Sequence, residues 1–313
     1  MSYGSGGYQQ EKQKKAVDAG TSGEEGITCG GCGMAKSMVL DDDHRHVHMD
    51  LQALPEGCIA NVVSLTTPPD ACRFSAVSRS FMSAAESDAV WDKFLPHDIP
   101  SILPHFSSKK ELYLTLCENP VLLDDGKMMF FLDKWSGKKC YMISARDLMI
   151  AWGGNPDYWG WNSVADSRFE EVAELRFVWW LEIRGKIETR ILSPSTVYQA
   201  YLVFKLSAMA DGFDHDDPLE VKVGLLGEEE AGNKRTVFLD QEEVERRRQK
   251  TPVGTSETQY PKKRTDGWLE VEMGEFFCPG EEDGAIIEMT CMEVKRIKSG
   301  LIVQGIEVRP KRM

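Results

Sequence analysis

The sequence lacks several features that would assign it to common classes of protein. No run of about 18 apolar residues occurs, so no transmembrane helix is expected. The first residues, Met1–Gly7, lack the apolar core of a secretory signal. Acidic residues outnumber basic ones, 50 to 37, and the net charge of −13 argues against binding nucleic acid or an anionic membrane through bulk electrostatics.

Catalytic patterns are also scarce. No Gly-rich phosphate loop follows a predicted strand, and the six histidines form no persuasive Ser-His-Asp or Cys-His arrangement. The acidic residues between Glu270 and Asp283 are typical of a solvated face, whereas glycan hydrolysis needs two carboxylates held across one bond. The sequence therefore predicts a protein that is not an enzyme and that holds no cofactor and no metal.

Eight cysteines are scattered along the chain and do not form the pattern of a disulfide framework, which indicates a reducing cytoplasm or nucleus. Cys29 and Cys32 precede His44 and His48 at a spacing close to that of a zinc finger. The segment between them offers no aromatic core residue. We therefore interpret residues 1–48, which are rich in Gly, Ser and charge, as a disordered tail, with a folded zinc site as the alternative.

Two basic clusters, Glu245–Lys250 and Pro261–Arg264, lie in a polar region of the chain. We interpret them as a solvated loop that balances nearby glutamates. The alternative is a two-part nuclear-import signal or an anion-binding patch.

Residues 49–97 have the pattern of short amphipathic helices. A first helix is predicted over Leu54–Leu65, with Pro55 suited to its first turn. Pro68-Pro69-Asp70 predicts the start of a second helix, over Pro68–Phe81. Ser87 is the predicted cap of a third helix, which ends near Pro96. Three helices in so short a segment make a small core, which often depends on a partner for stability.

This helical segment resembles the F-box. The pattern covers nearly the whole motif: Leu54-Pro55-Glu56-x-x-Ile59-x-x-Val62-x-Ser64-Leu65, then Asp70-x-Cys72-Arg73-x-x-x-Val77-Ser78-Arg79-x-Phe81, and Val90-Trp91. The resemblance implies docking on a Skp-type adaptor of a cullin-based SCF ubiquitin ligase. It implies that Leu54, Pro55, Ile59 and Val62 face the adaptor, with Val77 and Trp91 near the interface or in the core. The alternative is a helical unit with no particular partner.

After the helices the pattern changes to strands. Residues 98–126 contain a predicted helix over Ser108–Cys117 and are interpreted as a packed helical connector. Period-two alternation then predicts strands over 128–132, 140–143, 175–183, 198–206, 269–273, 286–294 and 301–308. Several strands separated by loops predict an antiparallel sandwich over 127–313. In the strand predicted over 175–183, Trp179 and Trp180 alternate, so one ring is expected to be buried.

An aromatic loop, defined as Ala151–Trp161, carries three of the eight tryptophans together with a tyrosine, glycines and an Asn-Pro turn signal. Gly and Pro at this density predict an irregular loop. Spacing alone leaves two interpretations open. The rings are exposed and stack on a flat ligand such as a sugar, or they fold inward and plug one end of the sandwich.

The strand-rich segment resembles the phloem protein 2 (Nictaba-related) lectins over about residues 140 to 311. The matching residues are Ser144-Ala145-Arg146-Asp147-Leu148, Trp152-x-x-Asn155-Pro156-x-Tyr158-Trp159-x-Trp161, Glu171–Leu175, Trp180–Thr189, Tyr201–Lys205, Asp266–Glu270 and Gly305–Pro310. The resemblance implies a jelly-roll-like sandwich that binds N-acetylglucosamine-containing glycans, with Trp152 and Trp159 at the sugar site and Trp161 in the core. Asn155, Asp157 and Tyr158 are the nearest polar groups that would orient a sugar.

The two resemblances together imply a multi-domain chain, in which a small all-α F-box helical domain is followed by an all-β jelly-roll-like antiparallel sandwich. The expected function is that of a substrate receptor that tethers glycosylated protein targets to a ubiquitin ligase. The alternative is that the sandwich binds protein directly and has lost glycan binding. Gly153-Gly154 and the region Gly224–Thr265 depart from the lectin pattern and motivate it.

Overall fold

The structure, a computed structural model, describes residues 54–99, 106–213, 218–227, 233–240, 260–280 and 284–312. The predicted tail over residues 1–48, with its cysteine and histidine pattern, lies outside the described residues, as does the basic cluster Glu245–Lys250. Among the helices that are described, none is long and apolar enough to cross a membrane.

Helices occupy the first part of the described chain. They are α1 (Glu56–Ser64), α2 (Pro68–Phe74), α3 (Arg79–Glu86), α4 (Asp88–Phe94) and α5 (Lys109–Glu118). The helix predicted over Pro68–Phe81 is wrong, because it is two helices. The Ser78 hydroxyl accepts a hydrogen bond from the Phe81 amide at 3.3 Å, which caps a new helix and leaves Val77 in the turn before it. Ser87 caps α4 as the sequence predicts, and Ser108 caps α5.

Strands form two antiparallel sheets that face each other as a sandwich. One sheet has the order β1-β2-β3-β14-β8-β12-β11, with β6 also paired to β14 and β5 paired to β6; the other has the order β10-β9-β13-β7-β4. The strands are β1 (Val121–Leu123), β2 (Met128–Leu132), β3 (Lys139–Ser144), β4 (Met149–Ile150), β5 (Trp159–Asn162), β6 (Val172–Leu175), β7 (Leu181–Glu188), β8 (Thr196–Asp211), β9 (Leu219–Leu225), β10 (Asn233–Val237), β11 (Lys262–Lys263), β12 (Leu269–Cys278), β13 (Ile286–Glu293) and β14 (Ser299–Pro310). A helical unit followed by an all-β sandwich confirms the predicted fold class, and β1 lies within the predicted connector over residues 98–126.

The strand predicted over 175–183 is wrong. Its first residue ends β6 in one sheet and Leu181 begins β7 in the other sheet, so the chain changes sheets between them. Residues 176–180 are irregular, apart from an isolated bridge between Val178 and Lys298. Both Trp179 and Trp180 are exposed, at 63% and 52%, because neither lies in a strand that would turn one ring inward.

A network of ion pairs joins the ends of β12 and β14. The Glu307 carboxylate, which is 2% exposed, lies 2.9 Å from Arg264 and 2.8 Å from Arg309. Burial opposes its ionisation, but Arg264, Arg309 and Arg168 outweigh burial and hold the pKa of Glu307 below its ordinary value. Arg264 is therefore a structural residue at 10% exposure, and it does not contribute to a solvated basic cluster over Pro261–Arg264 as the sequence suggested.

The helical unit is packed directly on the β2–β3 turn of the sandwich. Trp91, which is fully buried, lies 5.1 Å from the Tyr113 ring of α5, measured between centroids. The Tyr113 hydroxyl donates to the carbonyl oxygens of Asp133 and Lys134 in that turn, at 3.3 and 3.2 Å. Buried aromatic packing and these hydrogen bonds fix the orientation of the helices on the sandwich.

Gly137 lies at this junction, and its substitution tests the packing there. It has a φ of +70°, and a Cβ at this position would lie 2.5 Å from the Phe94 carbonyl oxygen of α4. Gly126 has a φ of +84° with nothing within 4 Å of such a Cβ. We expect Gly126→Ala to lower the unfolding free energy by about 1–2 kcal/mol, the cost of left-handed backbone, and Gly137→Ala to lower it by about 1–3 kcal/mol more.

Urea denaturation of the two variants measures this difference. Equal losses would contradict the close packing of α4 on the turn.

Candidate functional site

One candidate surface is formed by apolar side chains that the first helices leave exposed. Large hydrophobic residues are normally buried by a single-domain fold, so a group of them on one small helical unit indicates a protein interface. The exposed members are Leu54 at 37%, Val62 at 51%, Leu65 at 86%, Val77 at 59% and Met82 at 48%. We call this set the helical apolar surface.

The structure places the predicted adaptor contacts in two groups. Leu54, Pro55, Val62 and Val77 are exposed and remain available to a partner. Ile59 is 2% exposed, and Trp91 is fully buried with its indole N–H bonded to the Ala85 carbonyl oxygen at 2.7 Å. Both residues pack in the core of the helical unit. For Trp91 this is one of the two placements that the resemblance implies, whereas Ile59 does not face outward as the resemblance implies.

Leu65 and Met82 are not among the predicted contacts. A usable signal was present for Leu65, since it lies three residues after Val62 and residues at that spacing share one helix face. Ile59 and Val63, at 2% and 0% exposure, mark the inward face of the same helix, and Leu65 at 86% exposure lies away from that face. No comparable periodicity marks Met82, because α3 is short and its single buried aromatic residue, Phe81, is adjacent to it.

The second candidate surface lies on the aromatic loop. Trp152 is 61% exposed and has a φ of +65°, a left-handed conformation that is uncommon for a bulky residue. Its ring centroid lies 6.0 Å from that of Tyr158, which in turn lies 5.4 Å from that of Phe177. Strained backbone that holds a large apolar ring toward solvent is typical of a binding site.

Two indoles, the buried one of Trp159 and the half-buried one of Trp161, hold this loop in place through hydrogen bonds. The Trp159 N–H donates to the Ala151 carbonyl oxygen at 3.1 Å, and the Trp161 N–H donates to that of Gly153 at 3.0 Å. Trp159 is 1% exposed, so neither face of its ring is open to a sugar. The prediction that Trp159 provides a stacking face does not fit this placement. The buried ring and its hydrogen bond to Ala151 instead fix the loop that carries Trp152.

The predicted polar groups have different surroundings. The Asn155 side-chain oxygen accepts from the Asp157 amide at 2.9 Å, an arrangement that stabilises the turn. Asp157 is exposed, and Tyr158 lies half-buried between Trp152 and Phe177. The loop thus brings together Trp152, Tyr158, Asn155 and Asp157, with Asn155 partly committed to the fold of the loop itself.

Three exposed aromatic residues that the sequence does not predict as site residues follow this loop in the chain. Phe177 is 48% exposed, and Trp179 and Trp180 are both exposed beside it in the chain. The Trp180 N–H donates to the Glu182 carboxylate at 2.9 Å, while the Arg176 amide donates to the Tyr158 carbonyl oxygen at 2.8 Å and ties the segment to the loop. We call Trp152, Tyr158, Phe177, Trp179 and Trp180 the aromatic surface.

A buried ion pair supports the aromatic surface. The Lys298 ammonium, which is fully buried, pairs with the Glu293 carboxylate and donates to the Trp179 carbonyl oxygen at 3.4 Å. The backbone amide of Lys298 donates to the Val178 carbonyl oxygen at 2.8 Å, and the Val178 amide donates back at 2.9 Å. Because the carbonyl of Trp179 and the backbone of Val178 are held in this way, the irregular segment that carries the tryptophans is fixed.

The helical apolar surface and the aromatic surface lie toward opposite ends of the sandwich. Lys298, directly before β14, is bridged to the tryptophan segment, whereas the other end of β14 lies beside the β2–β3 turn on which the helices pack. A strand rises about 3.3 Å per residue, so the twelve residues of β14 separate the two ends by roughly 35 Å. Partners bound at the two surfaces would not compete for space.

Comparison with known proteins identifies both parts of the chain. The family described as Phloem protein 2 matches residues 138–310, and the F-box domain matches residues 51–93. An F-box is the segment by which such chains bind Skp1-type adaptors in SCF complexes. The fold and the two matches define the class as an F-box substrate adaptor with a lectin-like domain.

Similar curated proteins share this organisation. The chain is 49% identical to "F-box protein At2g02240" of Arabidopsis thaliana over 262 residues, which cover 82% of this chain and 79% of that protein. It is 46% identical to "F-box protein PP2-B10" of the same plant, covering 83% and 94% of the two chains, and 40% identical to "F-box protein VBF", covering 83% and 100%. The chain belongs to the plant F-box proteins with a phloem protein 2 domain, the PP2-B family.

Among solved structures, the sandwich aligns with a family 35 carbohydrate binding module from Clostridium thermocellum, at 11% identity and a TM-score of 0.30 over 54% of this chain and 96% of that one. A similarity at this level carries no argument about what the chain binds.

Proposed function

We propose that the chain is the substrate-receptor subunit of an SCF-type E3 ubiquitin ligase, and that its sandwich recruits glycoprotein targets through N-acetylglucosamine-containing glycans. The observation that carries the glycan half is the exposed indole of Trp152, held in a left-handed conformation on a loop that two further indoles anchor. One face of a pyranose presents C–H bonds to such a ring. By analogy with aromatic pairs, each stack contributes roughly 0.5–1.5 kcal/mol beyond area burial.

The proposed mechanism is tethering, without any chemical step in this chain. The helical apolar surface binds the Skp-type adaptor, and the aromatic surface binds the target at the other end of the sandwich. Bringing both partners onto one rigid chain raises the effective concentration of the target near the ubiquitin-charged enzyme. The packing of Trp91 and Tyr113 on the β2–β3 turn supports this mechanism, because a fixed junction holds the target in a defined place.

A glycan array probed with the full chain bound to its adaptor tests the glycan half. We expect binding to N-acetylglucosamine-containing glycans by the wild type, and loss of that binding in Trp152→Ala, since the variant removes the stacking face. Trp135→Ala is the matched control, because Trp135 is also a half-exposed tryptophan, at 51%, and lies on the β2–β3 turn at the other end of the sandwich. No binding by the wild type, or equal binding by all three proteins, would contradict the proposal.

A second candidate function rests on the extent of the aromatic surface. Phe177, Trp179 and Trp180 add three exposed rings to Trp152, more apolar area than one sugar ring covers. This extent favours a sandwich that binds a protein target directly, with glycan binding lost. An array that is negative for the wild type would favour this second function.

We propose the cytoplasm and the nucleus as the location of the chain. All six cysteines in the described ranges are free thiols, and Cys58 and Cys72 are exposed, which suits a reducing compartment. Fractionation of cells that express the tagged chain tests this proposal, and recovery in the secreted fraction would contradict it.

A further inference from the structure

A cavity lies at the end of the sandwich near the helices, away from the aromatic surface. Its volume is about 750 Å³, within the range of small-molecule sites, and it is bordered by the β2–β3 turn, by the start of β8 and by the end of β14. Trp135 and Val197, which are 51% and 38% exposed, and the ring of Pro310 give it an apolar wall. A flat apolar group of moderate size fits against such a wall.

Cationic side chains line the same cavity. Lys138, Lys311 and Arg312 border it, and among its described lining residues Asp133 carries the one carboxylate. The Asp133 carboxylate already has hydrogen-bond partners within the turn. One of its oxygens accepts from the Ser136 amide at 2.9 Å and from the Ser136 hydroxyl at 2.7 Å. The other oxygen lies 3.6 Å from Arg312. The lining therefore presents an excess of positive charge.

Lys138 is the cation that is least compensated. Its ammonium donates to the Thr196 hydroxyl, and no carboxylate in the described part of the chain pairs with it. Partial burial lowers the pKa of Lys138 from its ordinary value, because the charged form has lost solvent. Lys311, by contrast, already lies 2.6 Å from Glu275. An anion at this place would supply the charge partner that Lys138 lacks.

The cavity rim contains a strained residue. Ser195 has a φ of +49°, a left-handed conformation that residues other than glycine adopt infrequently, and it directly precedes Thr196. It exposes its side chain at the cavity, and the hydroxyls of Ser136 and Thr196 add further hydrogen-bonding groups to the wall. Backbone strain of this kind clusters at binding sites.

We infer that this cavity binds an anionic small molecule that has a flat apolar body, with the body against Trp135 and the anionic group on Lys138 and Arg312. The shared chemistry of the head group is a carboxylate, a sulfonate or a phosphate. An apolar wall with a few convergent polar groups is the general form of a small-molecule site. The inference is independent of glycan binding, because the aromatic surface lies at the other end of β14.

Isothermal titration calorimetry of the full chain with four naphthalene probes tests the inference. Naphthalenesulfonate, naphthoate and naphthyl phosphate share one flat body and differ in the anionic group, and naphthalenemethanol is their neutral counterpart. We expect at least one anion to bind at one site per chain, and the neutral probe to bind roughly tenfold or more weakly than it, since a charge-assisted hydrogen bond is lost. The anion that binds most tightly identifies the head group.

Matched variants assign the binding to the cavity. Lys138→Gln should weaken binding of the anions roughly tenfold and leave the neutral probe unchanged, and Trp135→Ala should weaken binding of all probes that bind. Lys134→Gln is the charge control, because Lys134 is on the same turn, is 60% exposed and pairs with Glu118 outside this cavity. Trp179→Ala is the ring control at the other end of the sandwich.

The two controls should bind as the wild type does. Binding of the neutral probe as tight as that of every anion, or wild-type affinity in both Lys138→Gln and Trp135→Ala, would overturn the inference. Trp152→Ala is expected to bind the probes normally, so a failure of the glycan proposal leaves this result intact.

Discussion

Exchanging two residues of the helical apolar surface for aspartate, in the variant Val62→Asp with Val77→Asp, is expected to abolish co-purification with a Skp-type adaptor. Both side chains are more than half exposed in the chain itself, so their exchange leaves the core of the helical unit intact. At an apolar interface each aspartate would be a buried, unpaired charge. We expect the affinity to fall by at least about a hundredfold, since such burial costs several kcal/mol.

A control separates this effect from a general effect of charge. Met209→Asp introduces one aspartate at an apolar residue that is 86% exposed on β8, away from the helices. It should co-purify with the adaptor at the wild-type level. A full-strength complex of the Val62→Asp and Val77→Asp variant, with unchanged circular dichroism, would show that the adaptor binds elsewhere.

The second large effect concerns the buried ion pair beneath the aromatic surface. Lys298→Met is expected to lower the free energy of unfolding by about 3–5 kcal/mol, because it leaves the Glu293 carboxylate buried at 3% exposure without its cation. Lys298→Met combined with Glu293→Met should recover most of this loss, since an apolar pair of similar volume replaces the charges. Urea denaturation of the two variants and the wild type measures both values.

An exposed pair between β9 and β10 provides the comparison. Lys234 is 60% exposed and lies 3.0 Å from Glu220, so Lys234→Met should cost less than about 1 kcal/mol. A loss in Lys298→Met as small as this one would mean that the buried pair does not hold the segment of Trp179 and Trp180. Failure of the double variant to recover would indicate that the hydrogen bonds of Lys298 to main-chain carbonyls matter more than its charge.

Much of the fold could be predicted from the sequence, because its signals are local. The strands that include residues 198–206, 269–273 and 301–308 follow period-two alternation, and the caps at Ser87 and Ser108 follow from residue type. Over residues 175–183 the alternation of large side chains predicts one strand, which is wrong. The pattern of large side chains continues there, but the backbone leaves one sheet and enters the other, and pairing between distant strands is not encoded in a local pattern.

The site was only partly predictable for a related reason. Trp152 and Trp159 are both tryptophans of the aromatic loop and both belong to the family motif. Trp152 is nevertheless 61% exposed, whereas Trp159 is 1% exposed. The difference arises from the hydrogen bond of the Trp159 indole to Ala151 and from the pairing of Trp159 with Leu175, which turn its ring inward. Ile59 and Val62 also differ in burial, because the inward face of α1 is formed by Ile59, Ala60 and Val63 and Val62 lies outside it.

The central claim is that one chain bridges a Skp-type adaptor and a glycan. The most direct measurement is retention of the purified adaptor on beads that carry an N-acetylglucosamine oligomer, with each variant added in turn. The account predicts retention with the wild type and with Met209→Asp, and no retention with either Trp152→Ala or the Val62→Asp and Val77→Asp variant. Retention of the adaptor by Trp152→Ala at the wild-type level, or its absence with the wild type, would contradict the account.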